Sequence, residues 1–206
     1  MKKIVLFGLL LLIFCAKKEK DYYPLFVGSL RVYDIERITI LGKDTTKQTM
    51  KQATKVLNKT SSNYWDNVWT VTTQESNNKP ILAYLKKTKD EITYIPNLKD
   101  TNEIIQYNFP LQIGNNWVVA KTPAETIIAQ VVGLEKVKVP VGQFDSCYEI
   151  EVKSTKNPEF YRRVWLAPNI GIVKNEIKST TTQNQKEKII VETSVLTQYN
   201  TTPSKE

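Results

Sequence analysis

From residue 22 onward the chain alternates apolar and polar side chains in short runs, separated by glycine, proline or polar pairs. A period of two is what a strand needs to bury one face and wet the other. It predicts strands over residues 30–41, 49–57, 64–73, 81–87, 92–95, 116–121, 125–139, 144–154, 159–166, 172–180 and 186–199. β-Branched and aromatic residues fill these runs, as a pleated surface favours. The alternation is cleanest at 147–153, where Tyr148, Ile150 and Val152 face one way and Cys147, Glu149, Glu151 and Lys153 the other. At 161–165, Tyr161, Arg163 and Trp165 oppose Arg162 and Val164. Only 49–57 has a competing reading, since Met50, Ala53 and Leu57 would also line one helical face. The expected fold is all-β: a curved antiparallel sheet or partly closed β-barrel, of the lipoprotein-carrier-like kind, with one wetter face.

Residues 4–16, IVLFGLLLLIFCA, do not alternate at all. Behind Met1, Lys2 and Lys3 they form the three parts of an export signal: a basic start, an apolar core and a processing point. The run falls short of the ~20 residues needed to cross roughly 30 Å of hydrocarbon, so it reads as a cleaved signal peptide. Leu12-Ile13-Phe14-Cys15 resembles the lipobox of bacterial lipoproteins, with Phe14 departing from the small residue that normally precedes the cysteine. The resemblance implies cleavage between Phe14 and Cys15 and lipidation of Cys15. Two or three acyl chains, palmitate among them, make a stable anchor where one gives only marginal binding. A cysteine falling near the cut by chance, or an uncleaved signal anchor, are the alternatives. Ala16 after the cysteine resembles the default for outer-membrane transport, on the periplasmic face or at the cell surface. The tether from Ala16 to Asp21 stretches about 20 Å at most. The chain thus divides into a signal (1–14), a lipidated cysteine and tether (15–21), one all-β domain (22–199) and a polar, disordered tail (200–206).

Tyr23-Pro24-Leu25-Phe26-Val27-Gly28 lines up with Phe109-Pro110-Leu111-Gln112-Ile113-Gly114 at a constant offset. Proline fixes the backbone before pairing begins and glycine permits the turn into the next strand. The repeat implies two similar halves, 22–106 and 107–199, or one turn device used twice. The second copy leads into Asn115-Asn116-Trp117, then VPVGQFDSCY at 139–148 and WLAPNIGIVK at 165–174. This order of motifs resembles the TapB-like family of exported bacterial β-proteins of unknown function, over residues 107–199. The resemblance implies a curved sheet or partial barrel in the envelope and brings no catalytic residues, because the shared positions are turn and packing residues.

The formal charge of +8 includes Lys2 and Lys3 of the leader, and the remaining charges are interleaved along the strands without basic blocks. That is a solvated surface, with no module for nucleic acid. Histidine is absent. Its absence removes the usual catalytic triads, the usual zinc ligands and the commonest general base. No phosphate loop, dinucleotide fingerprint or calcium loop is present, and nothing calls for a cofactor or metal.

Cys147 lacks an intramolecular partner once Cys15 is acylated, and its carboxylate neighbours make it less reactive. Asp145, Glu149, Glu151 and Glu159 could form a glycosidase pair only across a sugar-sized cleft. As neighbours on one strand face they read as the wet side of a sheet. Trp65, Trp69, Trp117 and Trp165 all fall in predicted strands and read as core. The expectation is a membrane-anchored, non-enzymatic envelope protein with a binding or structural role, its partners being the membrane through Cys15 and an envelope protein, glycan or lipid. The alternative is a carrier that holds an acyl chain in the sheet cavity.

Overall fold

The computed structural model describes residues 20–76, 78–183 and 185–200. The signal segment, Phe14, Cys15 and residues 201–206 lie outside the described residues. Twelve strands follow one another: β1 (Leu30–Leu41), β2 (Asp44–Thr60), β3 (Val68–Glu75), β4 (Ile81–Lys87), β5 (Glu91–Ile95), β6 (Ile104–Asn108), β7 (Asn116–Lys121), β8 (Thr126–Val139), β9 (Gly142–Ser154), β10 (Tyr161–Ala167), β11 (Gly171–Gln183) and β12 (Lys186–Asn200). The all-β expectation holds. Every pairing is antiparallel, in one sheet of order β6-β5-β4-β3-β2-β1-β12-β11-β10-β9-β8-β7.

Two six-stranded meanders meet at the β1–β12 ladder, and the sheet curls until its ends, β6 and β7, touch without sharing a ladder. The result is a nearly closed barrel. Antiparallel neighbours joined by short turns produce this order with little loop.

Residues 49–57 are strand, not helix. The two-residue turn Gly42-Lys43, with Gly42 at φ 62°, sets Leu41 opposite Asp44 and carries β2 along the whole of β1. A continuous ladder outweighs the accidental helical spacing of Met50, Ala53 and Leu57. β6 was not expected, because five residues before Phe109-Pro110 carry little periodic signal; pairing with β5 makes them a strand. Trp65 departs from expectation too, lying in the loop before β3, where its Nε1 donates to Asp100 O at 2.7 Å. β12 runs on to Asn200, the first residue of the expected tail.

A closed sheet of more than about eight strands has an interior wider than its own side chains fill. Here the two copies of the repeated turn supply what is missing. Leu25 and Leu111 enter the main core beside Val71, Ile92, Val131 and Ile150. In the first copy Gly28 N donates to Val56 O at 2.9 Å and Val56 N to Ser29 O at 3.0 Å; in the second Gly114 N donates to Val131 O at 2.8 Å and Val131 N to Asn115 O at 2.9 Å. Gly28 and Gly114 have φ of 85° and 94°, which explains the glycine at each place.

A second core cluster gathers Tyr33, Ile35, Val137, Val139, Cys147 and Leu196, where β8 approaches β11 and β12. β10 is buried on both faces, with Val164 and Leu166 in the first cluster and Trp165 and Ala167 in the second.

Candidate functional site

Alternation along the strands puts Arg31, Tyr33 and Ile35 on one face of β1, opposite Thr54, Gln52 and Met50 of β2. That face is the barrel interior. It encloses a cavity of about 220 Å³ lined by Arg31, Tyr33, Gln52, Thr73, Arg162 and Asn175 on its polar side and by Val71, Ala83, Leu85 and Ile172 on its apolar side.

Arg31 is 4% exposed. Its Nε donates to Ile170 O and its Nη2 to Pro24 O, both at 2.7 Å, and its guanidinium lies 5.7 Å from the centre of the Tyr23 ring. Gly171 makes room for it: a Cβ there would stand 3.1 Å from Arg31 Nε. Arg162 Nε donates to Asn175 Oδ1 at 2.8 Å, and the group also lies against the Tyr107 hydroxyl. Burial pushes the Tyr33 phenol well above its ordinary value, with Arg31 opposing. Burial likewise pushes Tyr107 up to about 12, with Arg162 opposing. Both phenols therefore keep their protons, and that of Tyr33 is spent, its hydroxyl donating to Ile172 O at 3.1 Å.

No carboxylate among the described residues pairs with Arg31 or Arg162. The acidic groups on the same face of the sheet, Glu75 and Glu192, are both engaged by Arg37, at 3.7 and 2.7 Å. Arg37 stands six residues along β1 from Arg31, about 20 Å away.

The sequence-predicted candidates are elsewhere. Glu149 and Glu151 both meet Arg163, at 3.7 and 3.4 Å, and Glu151 also meets Lys153 at 2.6 Å. Burial raises the Glu149 carboxyl despite Arg163. Glu151 is lowered, because hydrogen bonds from Lys153 and Arg163 outweigh its burial. Asp145 pairs with Lys136 at 3.6 Å and Glu159 with Lys178. Each of these carboxylates is occupied by a neighbouring cation, but the face is drier than expected: Cys147 is fully buried, the Glu149 and Glu151 side chains are only 19% and 15% exposed, and Glu159 lies just before β10. Cys147 is a free, fully buried thiol, pushed up to about 11, first by burial and then by Glu135 and Asp145. The acidic neighbours that act on it are thus not the Glu149 and Glu151 of its own strand.

Trp117 and Trp165 are core residues. Trp165 Nε1 donates to Glu135 Oε1 at 2.5 Å, and Lys174 Nζ stands 4.4 Å from its ring centre.

A second, outer cleft of about 550 Å³ lies beside the start of the described chain, between Tyr22, Lys89, Phe109, Leu111 and Tyr148. Asp21 is strapped down there: Lys87 Nζ donates to its Oδ2 at 2.6 Å, and Asn169 N to its backbone oxygen at 2.5 Å.

A family model described as DUF3108-like matches residues 46–196, most of the chain and nearly all of the sheet. The chain belongs to the DUF3108-like family. The TapB-like resemblance rests on its motifs alone. The DUF3108-like match begins inside β2, so β1, which brings Arg31 to the cavity, lies outside it. No curated protein matches the chain. Among solved structures, a Parabacteroides distasonis protein described as a "putative lipoprotein" is similar over 88% of this chain and 99% of its own, at 15% identity and a TM-score of 0.45.

Sequence reasoning offered a cavity in the sheet for an acyl chain and missed the two arginines in its wall. The available signal was Arg31 and Arg162 on the inward, apolar-facing positions of their strands, beside Tyr33 and Val164.

Proposed function

We propose that this DUF3108-like protein is an exported lipoprotein, anchored through acylated Cys15, whose barrel binds a partner or ligand in the envelope without catalysing a reaction. The observation that carries the reading is the strap at Asp21. It leaves only the short tether between Cys15 and the folded body, so the outer cleft with its lysines is held within about 20 Å of the bilayer. Ala16 supports the outer membrane as destination. Against catalysis stand the absence of histidine and the pairing of each candidate carboxylate with a cation.

The acyl-carrier reading fits the barrel interior poorly. A cavity of about 220 Å³ is small beside the roughly 300–1,000 Å³ of drug-sized ligand pockets, and Arg31 and Arg162 put two cationic groups in its wall. A greasy cargo would have to use the outer cleft.

The anchor is tested by following radiolabelled palmitate into wild-type and Cys15→Ala protein in cells. Label is expected only in the wild type; its absence there, or its persistence in the variant, defeats the assignment. Organic extracts of Cys15→Ala protein, analysed by mass spectrometry, separate the two readings: a stoichiometric lipid supports the carrier, a lipid-free extract the binding protein.

A further inference from the structure

We infer that the barrel interior is a binding site for a small organic carboxylate, its anionic head held between Arg31 and Arg162 and its short apolar body laid against Val71, Ala83 and Leu85. The inference deepens the reading of the barrel as a binding body and does not depend on the anchor.

The argument starts from the cost of burying charge. Taking an ion out of water costs several kcal/mol even after relaxation, and proteins recover it by pairing the ion with an opposite charge. The same face of this sheet shows such pairing at Arg37, which holds both Glu75 and Glu192. Arg31 is more deeply buried than Arg37, and its partners are neutral: the backbone carbonyls Ile170 O and Pro24 O and the face of the Tyr23 ring. Arg162, half-buried, has the neutral amide of Asn175 and the Tyr107 hydroxyl. Both guanidiniums line one cavity that no acidic side chain lines. Two uncompensated positive charges around one space make that space an anion site.

The shape narrows the class. Guanidinium forks match the planar, two-oxygen geometry of a carboxylate. The opposite wall is aliphatic, which a bare inorganic anion would leave unused. At ~30 Å³ for each water, a cavity of about 220 Å³ holds about seven waters, which suits a ligand of about seven to ten non-hydrogen atoms. Asn175, Ser194 and Thr54 supply neutral polar groups for a hydroxyl or amide on the ligand.

The test is calorimetric titration of the full chain, stripped of bound small molecules by unfolding and refolding, with benzoate, its neutral analogue benzamide, and inorganic phosphate. Benzoate is expected to bind and to raise the melting temperature, with benzamide and phosphate at least tenfold weaker. Arg162→Gln can keep the bond to Asn175 but loses the charge. It is expected to melt within a few degrees of wild type and to weaken benzoate at least tenfold, and Arg31→Met to do the same to benzoate. Should Arg31→Met fail to fold, Arg162→Gln alone decides between the outcomes. No binding of benzoate, equal binding of benzamide, binding of phosphate only, or unchanged binding by Arg162→Gln each overturns the inference. A protein that binds benzoate yet never takes up palmitate would retire the anchored reading and leave this site standing.

Discussion

The two copies of the repeated turn share a backbone and differ in what they send inward. Gly28 and Gly114 make the same hydrogen bond to the second strand that follows, and Leu25 and Leu111 plug the same core. Three residues past the glycine the first copy carries Arg31 and the second Trp117, and where the first begins with Tyr23 the second begins with Phe109. The neighbours explain the difference. β1 is laddered on both sides, to β2 and β12, so its register is secured by backbone bonds and a polar inward face is tolerated. β7 is laddered only to β8 and forms one lip of the unclosed seam. An open edge needs apolar bulk to keep water out, and Trp117 supplies it. One device thus yields a sealing residue in one copy and, in the other, a charged residue of the cavity that Arg162 and Asn175 of β10 and β11 complete.

That contrast predicts unequal costs of truncation. Trp117→Ala removes a large core side chain at a seam with no ladder to compensate, and is expected to lose about 3–5 kcal/mol. Arg31→Met leaves two carbonyls without donors, a loss partly offset because a buried unpaired charge disappears, for a net cost of about 1–2 kcal/mol. Trp117→Phe is expected to fall well below Trp117→Ala, since the Trp117 Nε1 is buried without a partner and forfeits nothing when removed. Urea unfolding measures all three. Equal losses for Trp117→Ala and Arg31→Met would mean that the two copies of the turn are not divided into sealing and site-building roles.

How much of this was legible follows the same division. Strands 30–41, 81–87 and 116–121 coincide with β1, β4 and β7 to the residue, because period-two alternation is a local property that the ladder only confirms. The repeated turn was legible for the same reason, as proline and glycine announce their backbone demands directly. β6 and the loop position of Trp65 were not, since a short edge strand and a ring hydrogen bond to Asp100 depend on neighbours far along the chain. The arginines were visible on inward positions, but alternation cannot tell whether an inward charge meets a carboxylate. Only the assembled sheet reveals that Arg37 takes both nearby glutamates and leaves Arg31 and Arg162 with none.

The barrel interior should also show its chemistry at alkaline pH. Tyr33 and Tyr107 are raised by burial, Tyr107 to about 12, while unfolded tyrosines titrate near 10. Above pH 10 the unfolded chain releases protons that the native state retains, so stability, complete below that pH, falls as pH rises. Each group contributes ~1.4 kcal/mol per pH unit, or about 2–3 kcal/mol from Tyr107 between pH 10 and 12. Tyr107→Phe should flatten the fall in a series of urea melts from pH 9 to 12, and Tyr33→Phe should flatten it further. A slope unchanged by either substitution would mean that both phenols reach water as readily in the native barrel as in the unfolded chain.

The smallest expected effect tests the likeness of the halves. Gly28 and Gly114 have φ of 85° and 94°, and a Cβ built on either would meet nothing within 4 Å. Sterics with neighbours therefore drop out, and substitution by alanine costs only the left-handed backbone, about 1–2 kcal/mol. Gly28→Ala and Gly114→Ala are expected to lower the melting temperature by equal amounts, and the double variant by their sum, since well-separated sites add within about 0.5 kcal/mol. Melting curves of the three variants decide it. If Gly114→Ala were nearly neutral while Gly28→Ala was not, the seam beside β7 would be relaxing to absorb the strain. The second copy would then share the hydrogen bonds of the first without sharing its rigidity.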